Sequence, residues 1–252
     1  MISIVVIGAG QVGTHFCNAI HASPSLLLKQ FYNRSKVALT DDIKDVEFCS
    51  DLDLLKDADL YIIAVSDVAV EAISKALPFE NRLVVHTSGS VAMRFLSKKN
   101  RRGVFYPLQT FSKNSDLNFS AVPICIETSC KKDRELLKSV AIALGSPYYT
   151  IQTEQRQALH LAAVFVNNFT NQLYRIAHEL TDSEGLEFDI LKPLIAETAN
   201  KVQVLSPYMA QTGPAKRNDK KTILQQQKLL ENTPKFQEIY KLLTKSIQKT
   251  HG

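Results

Sequence analysis

The chain has 252 residues, of which 45% are hydrophobic and 22% are charged, and its formal net charge is +5. This composition is typical of a globular protein, and the length allows one domain of about 150 residues and a smaller one. No apolar run approaches the roughly 20 residues that span a bilayer. The first predicted strand begins at residue 2 and leaves no room for a signal peptide, so we expect a cytoplasmic protein without a membrane partner.

The first predicted element is an apolar strand over residues 2–7. It leads directly into a glycine-rich turn, Gly8-Ala9-Gly10-Gln11-Val12-Gly13, and a helix predicted over residues 11–22. In this setting Gly8 makes the tight turn, Gly10 lets the backbone approach phosphates, and Gly13 lets the helix pack on the strand. The N-terminal amides of the helix then point at an anion. The six residues of the turn are therefore predicted to bind the pyrophosphate of a dinucleotide.

The second strand, predicted over residues 27–32, ends in Asn33-Arg34-Ser35-Lys36. NAD-binding folds place an Asp or Glu here for the ribose 2′-hydroxyl, and this turn has no carboxylate. Arg34 offers a planar fork and Lys36 a point charge, both of which suit a 2′-phosphate. Ser35 adds a hydroxyl donor, and Asn33 can orient the turn. The alternative is an ordinary solvated basic turn, but the pattern favours NADP as the cofactor.

The rest of the N-terminal part alternates between apolar runs and helical stretches. Further strands are predicted at residues 47–49, 60–65, 83–87, 104–106, 124–127 and 148–151, and helices at residues 68–76 and 132–144. Near-continuous apolar runs of this kind are typical of parallel strands buried on both faces. The fold class predicted from them is α/β, a doubly wound dinucleotide-binding domain over residues 1–152.

Residues 153–252 have a helical pattern throughout. Helices are predicted at residues 154–180, 190–205, 220–231 and 234–249. We expect these to form an all-helical domain, with the active site in the cleft between the two domains.

Short polar motifs follow several of the strands, at the edge where ligands bind in an open α/β sheet. Ala64-Val65-Ser66-Asp67 and the pair His86-Thr87 are expected to contact the cofactor. Ser88 is a candidate catalytic residue, and Gln109 is expected to bind substrate. Each motif has an alternative explanation, because Ser, Thr and Asp also favour turns without a ligand.

The first long helix carries the strongest catalytic candidate, His160. At 100° per residue His160, Asn167, Asn171 and His178 fall close to one line, with Asn168 on its flank. The surrounding residues are apolar almost all round, so the helix is expected to be buried. Its polar side chains then either hydrogen-bond to neighbouring helices or to a subunit partner, or they perform chemistry. The second alternative makes His160 a proton donor and Asn167 or Asn168 a substrate ligand, since the reference pKa of histidine, about 6.5, suits proton transfer at neutral pH.

Metal and nucleic-acid partners are not expected. The four cysteines lack metal-ligand spacing and lie in helix- or strand-like apolar settings. Nine Lys or Arg and three acidic residues follow residue 212, but the basic residues lie along helices without interleaved aromatics or a nucleic-acid-reading motif. A solvated helical face explains them better.

Several of these motifs together resemble a known family. They are the glycine turn, Asn33-Arg34-Ser35, the stretches at residues 85–90 and 106–111, the helix around His160, and residues 212–219. The chain resembles NADP-dependent oxidoreductases that join a Rossmann-like domain to a helical C-terminal domain of unassigned function, often labelled by analogy with deazaflavin-dependent NADP reductases. More distantly it is similar to ketopantoate reductase and 3-hydroxyacid dehydrogenases, which carry a catalytic Lys on the first long helix and an Asn one or two turns later. His160 stands at the position of that Lys, and Asn168 matches the two-turn position.

The resemblance implies an oxidoreductase but supplies no substrate. The reaction that we expect is hydride transfer between NADP(H) and a small carbonyl or imine substrate of hydroxyacid type. His160 would supply the proton, Asn168 with Asn167 would orient the substrate, and Arg217 would clamp a substrate carboxylate. Arg217 has an alternative role in a helix-entry loop capped by Asp219. Two other functions are considered. One is a prephenate- or arogenate-dehydrogenase-like enzyme, suggested by His86 and the Tyr106-Pro107-Leu108 turn, and the other is a non-catalytic NADP-binding sensor or scaffold. A homodimer through the helical domain is also expected.

Overall fold

The computed structural model describes residues 1–35, 43, 45–112 and 117–251. The chain divides into two compact units, Met1–Asn168 and Phe169–Gly252. The first unit contains a sheet whose strands are β1 (Ile2–Ile7), β2 (Leu26–Tyr32), β3 (Glu47–Cys49), β4 (Leu60–Ile63), β5 (Leu83–His86), β6 (Arg101–Pro107), β7 (Ile124–Thr128) and β8 (Tyr148–Thr150). Its helices are α1 (Gln11–Ala22), α2 (Asp67–Ala76), α3 (Lys131–Ala143) and α4 (Thr153–Ala163).

The sheet has the strand order β3-β2-β1-β4-β5-β6-β7-β8. Neighbouring strands among the described residues run parallel, except that β7 is antiparallel to β6. The first three strands follow one another from β1 outward to β3 at one edge of the sheet. The chain then returns to the middle, where β4 pairs with β1 on its other side. This reversal confirms the predicted doubly wound α/β fold and places the ends of β1 and β4 at the switch point where such folds bind ligands.

Alternate side chains of the central strands enter two separate cores. Ile4 and Val6 pack in one apolar cluster, whereas Val5 and Ile7 pack in the other, and all four side chains are fully buried. Successive residues of a strand point to opposite faces, so both faces of the sheet are covered. This is why the strand sequences are continuously apolar.

The structure extends β6 beyond the predicted residues 104–106. The prediction missed the start of the strand because its first residues are charged. Arg101 and Arg102 pair with Leu83 and Val84 of β5, although their side chains are only half-buried. A strand that begins with arginines does not show as an apolar run, so the sequence indicated only its central part.

The second unit consists of helices in the part of the chain that the structure describes. They are α5 (Thr170–Ser183), α6 (Lys192–Val204), α7 (Pro207–Ala210), α8 (Lys220–Leu229) and α9 (Pro234–His251). Asp219 caps α8, because its Oδ1 accepts the backbone N–H of Thr222 at 3.1 Å. No helix among the described residues has the length and apolar character needed to cross a membrane.

The helix predicted over residues 154–180 is interrupted by a π-helical turn. α4 is followed directly by π-helical residues Val164–Phe169 and then by α5. The compact units divide inside this turn, after Asn168, and not at the predicted position after residue 152. The difference arises because α4 packs with the first unit, where Arg156 is fully buried.

The prediction that this helix is buried almost all round is wrong for the single chain. Leu161 is 58% exposed, Phe165 is 60% exposed and Val166 is 75% exposed. Arg156 of α4 is fully buried, whereas Leu161 of α4 and the two apolar residues of the π-helical turn are exposed. An apolar sequence pattern indicates side chains that are favourable to bury. It does not say whether the same chain or another molecule buries them.

Candidate functional site

A cavity of about 580 Å³ lies at the carboxyl ends of β1, β2, β4 and β5. It is lined by residues that follow these strands and by the first turn of α1: Gly8, Gly10, Gln11, Val12, Tyr32, Asn33, Arg34, Ala64, Val65, Ser66, Ala69, Ile73 and Thr87. The strands are parallel, so their carboxyl ends share one edge of the sheet. The cavity brings together most of the residues that the sequence predicted for the cofactor.

The glycines of the first turn have the conformations that a phosphate-binding turn requires. Gly8 has a φ of +109°, and a Cβ there would lie 2.3 Å from the carbonyl oxygen of Ala64. A Cβ on Gly13 would lie 1.8 Å from the carbonyl oxygen of Gly8, which confirms that the close approach of helix to turn needs a glycine. At Gly10 nothing lies within 4 Å of the corresponding position. A ligand can therefore approach the backbone at Gly10.

The N-terminus of α1 is open toward this cavity. Gly10 is the N-cap residue and provides no side-chain hydrogen bond to the first turn. The free amides and the positive end of the helix dipole favour an anion at this position. The turn, the open cap and the space beside Gly10 together fit a pyrophosphate group.

The turn after β2 is organised by Asn33. Its Oδ1 accepts the backbone N–H of Ala9 at 3.3 Å, and its Nδ2 donates to the carbonyl oxygen of Ser35 at 2.8 Å. Arg34 lines the cavity and is exposed, so its guanidinium is available to a ligand. Lys36, also predicted to bind the cofactor, lies outside the described residues.

Four of the predicted cofactor residues support the site without lining the cavity. Ala9 donates to Asn33, and Ser35 accepts from it. Asp67 is the first residue of α2 and accepts a short hydrogen bond from the Ser90 hydroxyl. Gly13 lies beneath the turn.

His86 does not reach the cavity, contrary to its predicted contact with the cofactor. Its side chain is fully buried, and its Nδ1 accepts the backbone N–H of Ser88 at 3.2 Å. Burial, followed by the charge of Arg156, lowers the pKa of His86 from 6.5 to about 3. The ring is therefore neutral at physiological pH and shapes the turn after β5.

A second cavity, of about 410 Å³, lies at the end of β6. It is lined by residues of β6, of the segment that follows it, of α4 and of the π-helical turn: Tyr106, Leu108, Gln109, Thr110, Leu159, His160, Ala162, Ala163, Val164, Val166, Asn167 and Asn168. The structure thus brings together His160, Asn167, Asn168 and Gln109, as predicted. β6 is parallel to β5, so this cavity opens at the same sheet edge as the nucleotide cavity.

His160 is paired with Tyr106, a partner that the sequence analysis did not assign. The Tyr106 hydroxyl lies 2.9 Å from Nδ1 of His160, and the two rings meet edge-on with centroids 5.8 Å apart. Burial raises the pKa of Tyr106 to about 12, so the phenol keeps its proton at neutral pH. The hydroxyl can donate to a bare Nδ1 or accept from a protonated one, and it supports the imidazole in either state.

Gly89 forms the surface against which His160 rests. A Cβ at this position would lie 2.5 Å from Nδ1 of His160 and 2.9 Å from Cζ of Tyr106. The sequence showed Gly89 only as part of a hydroxyl-rich turn. Because Gly89 has no side chain, the imidazole of His160 can occupy the space that a Cβ would fill.

Ser88, a predicted catalytic residue, has a structural role in the same turn. It is 9% exposed, and its Oγ accepts the backbone N–H groups of Ser90 at 3.1 Å and Val91 at 3.0 Å. These two hydrogen bonds show that the Ser88 hydroxyl stabilises the turn after β5.

Arg156 is the most important residue near the site that the sequence analysis missed. It is fully buried on α4, one helical turn before His160, and donates to the carbonyl oxygens of Ser88 and Gly89. An arginine within a helix normally indicates a solvent-facing side. Its spacing of four residues from His160 places the two on one side of α4, but residues 153–160 are mostly polar and did not mark Arg156 as buried.

Two further residues lie in the second unit. His178 is exposed on α5, and its ring lies 5.2 Å from that of Phe188. Arg217 is exposed in the loop before α8, and its backbone N–H donates to the carbonyl oxygen of Gly213. The capping of α8 by Asp219 confirms the helix-entry role of this loop.

The family of the chain follows from its sequence relatives. The model of a family described as "Domain of unknown function (DUF2520)" matches residues 122–247, half of the chain. A Bacteroides fragilis protein named as a putative NADP oxidoreductase is 38% identical over 98% of both chains, with a TM-score of 0.88. This chain belongs to the DUF2520 family. No curated protein sequence matches it.

Other solved structures share the fold of this DUF2520 protein at low identity. An imine reductase from Myxococcus stipitatus in complex with NADP⁺ is 14% identical, with a TM-score of 0.67 over 99% of this chain and 96% of that one. A pyrroline carboxylate reductase from Plasmodium falciparum with NADP bound is 12% identical, with a TM-score of 0.63 over 100% and 98%. Both of these neighbours are reductases with NADP bound, and at this identity their likeness to the chain shows a shared Rossmann-like fold. The likenesses to deazaflavin-dependent reductases and to ketopantoate reductase are not confirmed.

Proposed function

We propose that this DUF2520 protein is an NADP(H)-dependent oxidoreductase that reduces a small carbonyl or imine compound, or oxidises the corresponding product. The observation that carries the proposal is that the cavity beside the glycine turn and the cavity lined by Tyr106 and His160 open at one edge of one sheet. The names of the B. fragilis relative and of the imine and pyrroline carboxylate reductases support the same reaction class.

The residues present fit NADP. The turn from Gly8 to Gly13 and the open N-terminus of α1 would hold the pyrophosphate, and Arg34 would face the 2′-phosphate. Asn33 occupies the position where an NAD-type site has a carboxylate, and a neutral amide does not repel a phosphate. The bound nicotinamide would supply the hydride, which is the redox part of the reaction.

His160 would supply or accept the proton at the substrate oxygen or nitrogen. A protonated imidazole bonds through Nδ1 to Tyr106 and keeps its Nε2 proton for the substrate. When that proton is transferred, the neutral ring is still held by the tyrosine hydroxyl. Asn167 and Asn168 line the same cavity, and we assign them the role of orienting the substrate.

The role of Arg217 as a clamp for a substrate carboxylate is a separate part of the proposal. It is supported by the exposure of its guanidinium in a loop that Asp219 anchors to α8. Arg217→Ala is then expected to raise the KM for carboxylate substrates without changing that for neutral ones. An equal effect on both substrate classes would remove this assignment.

We also propose a homodimer through the helical part of the chain. Ile190, Leu194 and Val204 are each more than 60% exposed, and exposed apolar residues of this kind mark interaction surfaces. Light scattering is expected to give twice the mass of the chain, and a monomer at micromolar concentration would refute the proposal.

The reaction is tested by following NADPH oxidation with a panel of 2-oxo acids, aldehydes and cyclic imines. His160→Ala is expected to bind NADPH as the natural protein does and to lose turnover by at least ~100-fold, the usual contribution of a general acid. Tight NADPH binding without oxidation by any compound would favour a non-catalytic sensor. Turnover confined to aromatic precursors would favour the prephenate- or arogenate-dehydrogenase-like alternative.

A further inference from the structure

Arg156 is a buried cation that the proposed reaction does not use directly. Its side chain is fully buried within the first unit. Nη1 donates to the carbonyl oxygens of Ser88 and Gly89, both at 2.9 Å, and Nη2 donates to Oε2 of Glu127 at 3.2 Å. Nε has no hydrogen-bond partner among the described residues. A buried guanidinium is costly unless it is paired, so its presence calls for an explanation.

Glu127 connects this cation to the start of α4. One of its carboxylate oxygens accepts from Arg156, and the other accepts the Thr153 hydroxyl at 2.5 Å. Glu127 lies on β7 and Thr153 is the first residue of α4. The network therefore fixes the helix to the sheet at its first turn, before it reaches His160.

The same guanidinium holds the backbone on which His160 rests. Gly89 lies directly against the imidazole, as the 2.5 Å distance from its hypothetical Cβ to Nδ1 shows. Tyr106 bonds to Nδ1. The imidazole is thus enclosed by a tyrosine and by a backbone segment that Arg156 fixes through two carbonyl groups.

We propose that Arg156 is a positioning residue for His160. It holds the Ser88–Gly89 backbone and α4 in one arrangement and thereby fixes the position of the His160 imidazole. The inference rests on the proposed function of His160 as the proton donor. A planar guanidinium can direct separate N–H groups to two carbonyl oxygens and a carboxylate, whereas the ammonium of lysine is a point charge on a flexible stem. A lysine at this position would keep the charge and lose the geometry.

The test uses Arg156→Lys and, as a milder change, Glu127→Gln, which keeps an oxygen acceptor for the guanidinium. Arg82→Lys is the matched control, because Arg82 forms an exposed ion pair with Asp57. The first readout is the pair of ring ¹⁵N signals of His160 in the full chain, assigned by their loss in His160→Ala. The second is turnover with the panel above, together with the dissociation constant for NADPH.

We expect both network variants to shift or broaden the His160 ring signals, while Arg82→Lys leaves them unchanged. Turnover by Arg156→Lys should fall by about 10- to 100-fold with NADPH affinity within about twofold, because a misplacement of about 1 Å has effects of this size. The same substitution in a His160→Ala background should have little further effect, since the two residues act as one unit.

Unchanged ring signals in both network variants, or an equal loss of turnover with and without His160, would overturn the inference. If Arg156→Lys does not fold, Glu127→Gln decides by the same readouts. The ring signals do not depend on turnover. If the natural protein oxidises no NADPH with any compound, the proposed function is refuted. The ring signals of the variants still test whether Arg156 positions His160.

Discussion

The space at Gly89 gives the most specific prediction about the site. In Gly89→Ala the new methyl carbon would lie 2.5 Å from Nδ1 of His160, whereas ordinary contact begins near 3.4 Å. The Gly89 carbonyl is held by Arg156, so the imidazole must move by about 0.9 Å or turn away from Tyr106. A displacement of this size at a catalytic group lowers turnover by about 100-fold.

The assay compares turnover, NADPH affinity and thermal stability in the same preparations. We expect Gly89→Ala to lose about 100-fold in kcat, to bind NADPH normally, and to lose only about 1–3 kcal/mol of stability from overpacking. Gly185→Ala is the matched control. Nothing lies within 4 Å of its new methyl group, but its φ of +68° strains an alanine, so it should lose stability and keep kcat.

The result that would refute this reasoning is turnover by Gly89→Ala close to that of the natural protein. The imidazole would then have moved without consequence, and the proton would come from another group. A loss of kcat in both glycine variants, in proportion to their stability, would equally show that strain and not the position of His160 is responsible.

Three other predictions concern the hydroxyl, the turn and the buried histidine. Tyr106→Phe removes one neutral hydrogen bond, which contributes about 0.5–1.5 kcal/mol, so kcat should fall by about 3- to 10-fold; an unchanged kcat would mean that the pair at 2.9 Å is not used. Gly13→Ala places a methyl group 1.8 Å from the carbonyl oxygen of Gly8, which cannot move independently. Urea unfolding should therefore show that the free energy of unfolding falls by more than about 2 kcal/mol, and an unchanged midpoint would contradict this. The lowered pKa of His86 means that the unfolded chain takes up a proton below pH 6.5 and the folded one does not until about pH 3. Stability should therefore fall by about 2 kcal/mol between pH 6.5 and 5, and His86→Asn, which keeps an acceptor for Ser88, should fall less; identical pH profiles would contradict the assignment.

The first turn and the sheet were predictable because their requirements are local. Gly13 is needed by a contact within one strand–turn–helix unit and Gly8 has the positive φ of its tight turn, so the sequence of that unit displays both. The central strands are buried on both faces, which leaves a continuous apolar run in the sequence. β6 was underestimated because its first two residues are arginines.

The network around His160 was not predictable because its partners are distant in the sequence. Arg156 contacts the backbone 67 and 68 residues earlier, and Tyr106 lies 54 residues before His160. A buried arginine and an exposed one have the same sequence signature. The π-helical turn also escaped prediction, since a spacing of 100° per residue does not continue through Val164–Phe169.

The central claim is that the cavity beside Gly10 and Arg34 holds a 2′-phosphorylated dinucleotide, and titration calorimetry tests it most directly. The natural protein should bind NADPH at least about tenfold more tightly than NADH, since a hydrogen bond to a charged group contributes about 1.5–3 kcal/mol. Arg34→Ala should remove most of that difference and leave NADH binding unchanged. Equal affinity for the two nucleotides, or binding of neither, would contradict the account.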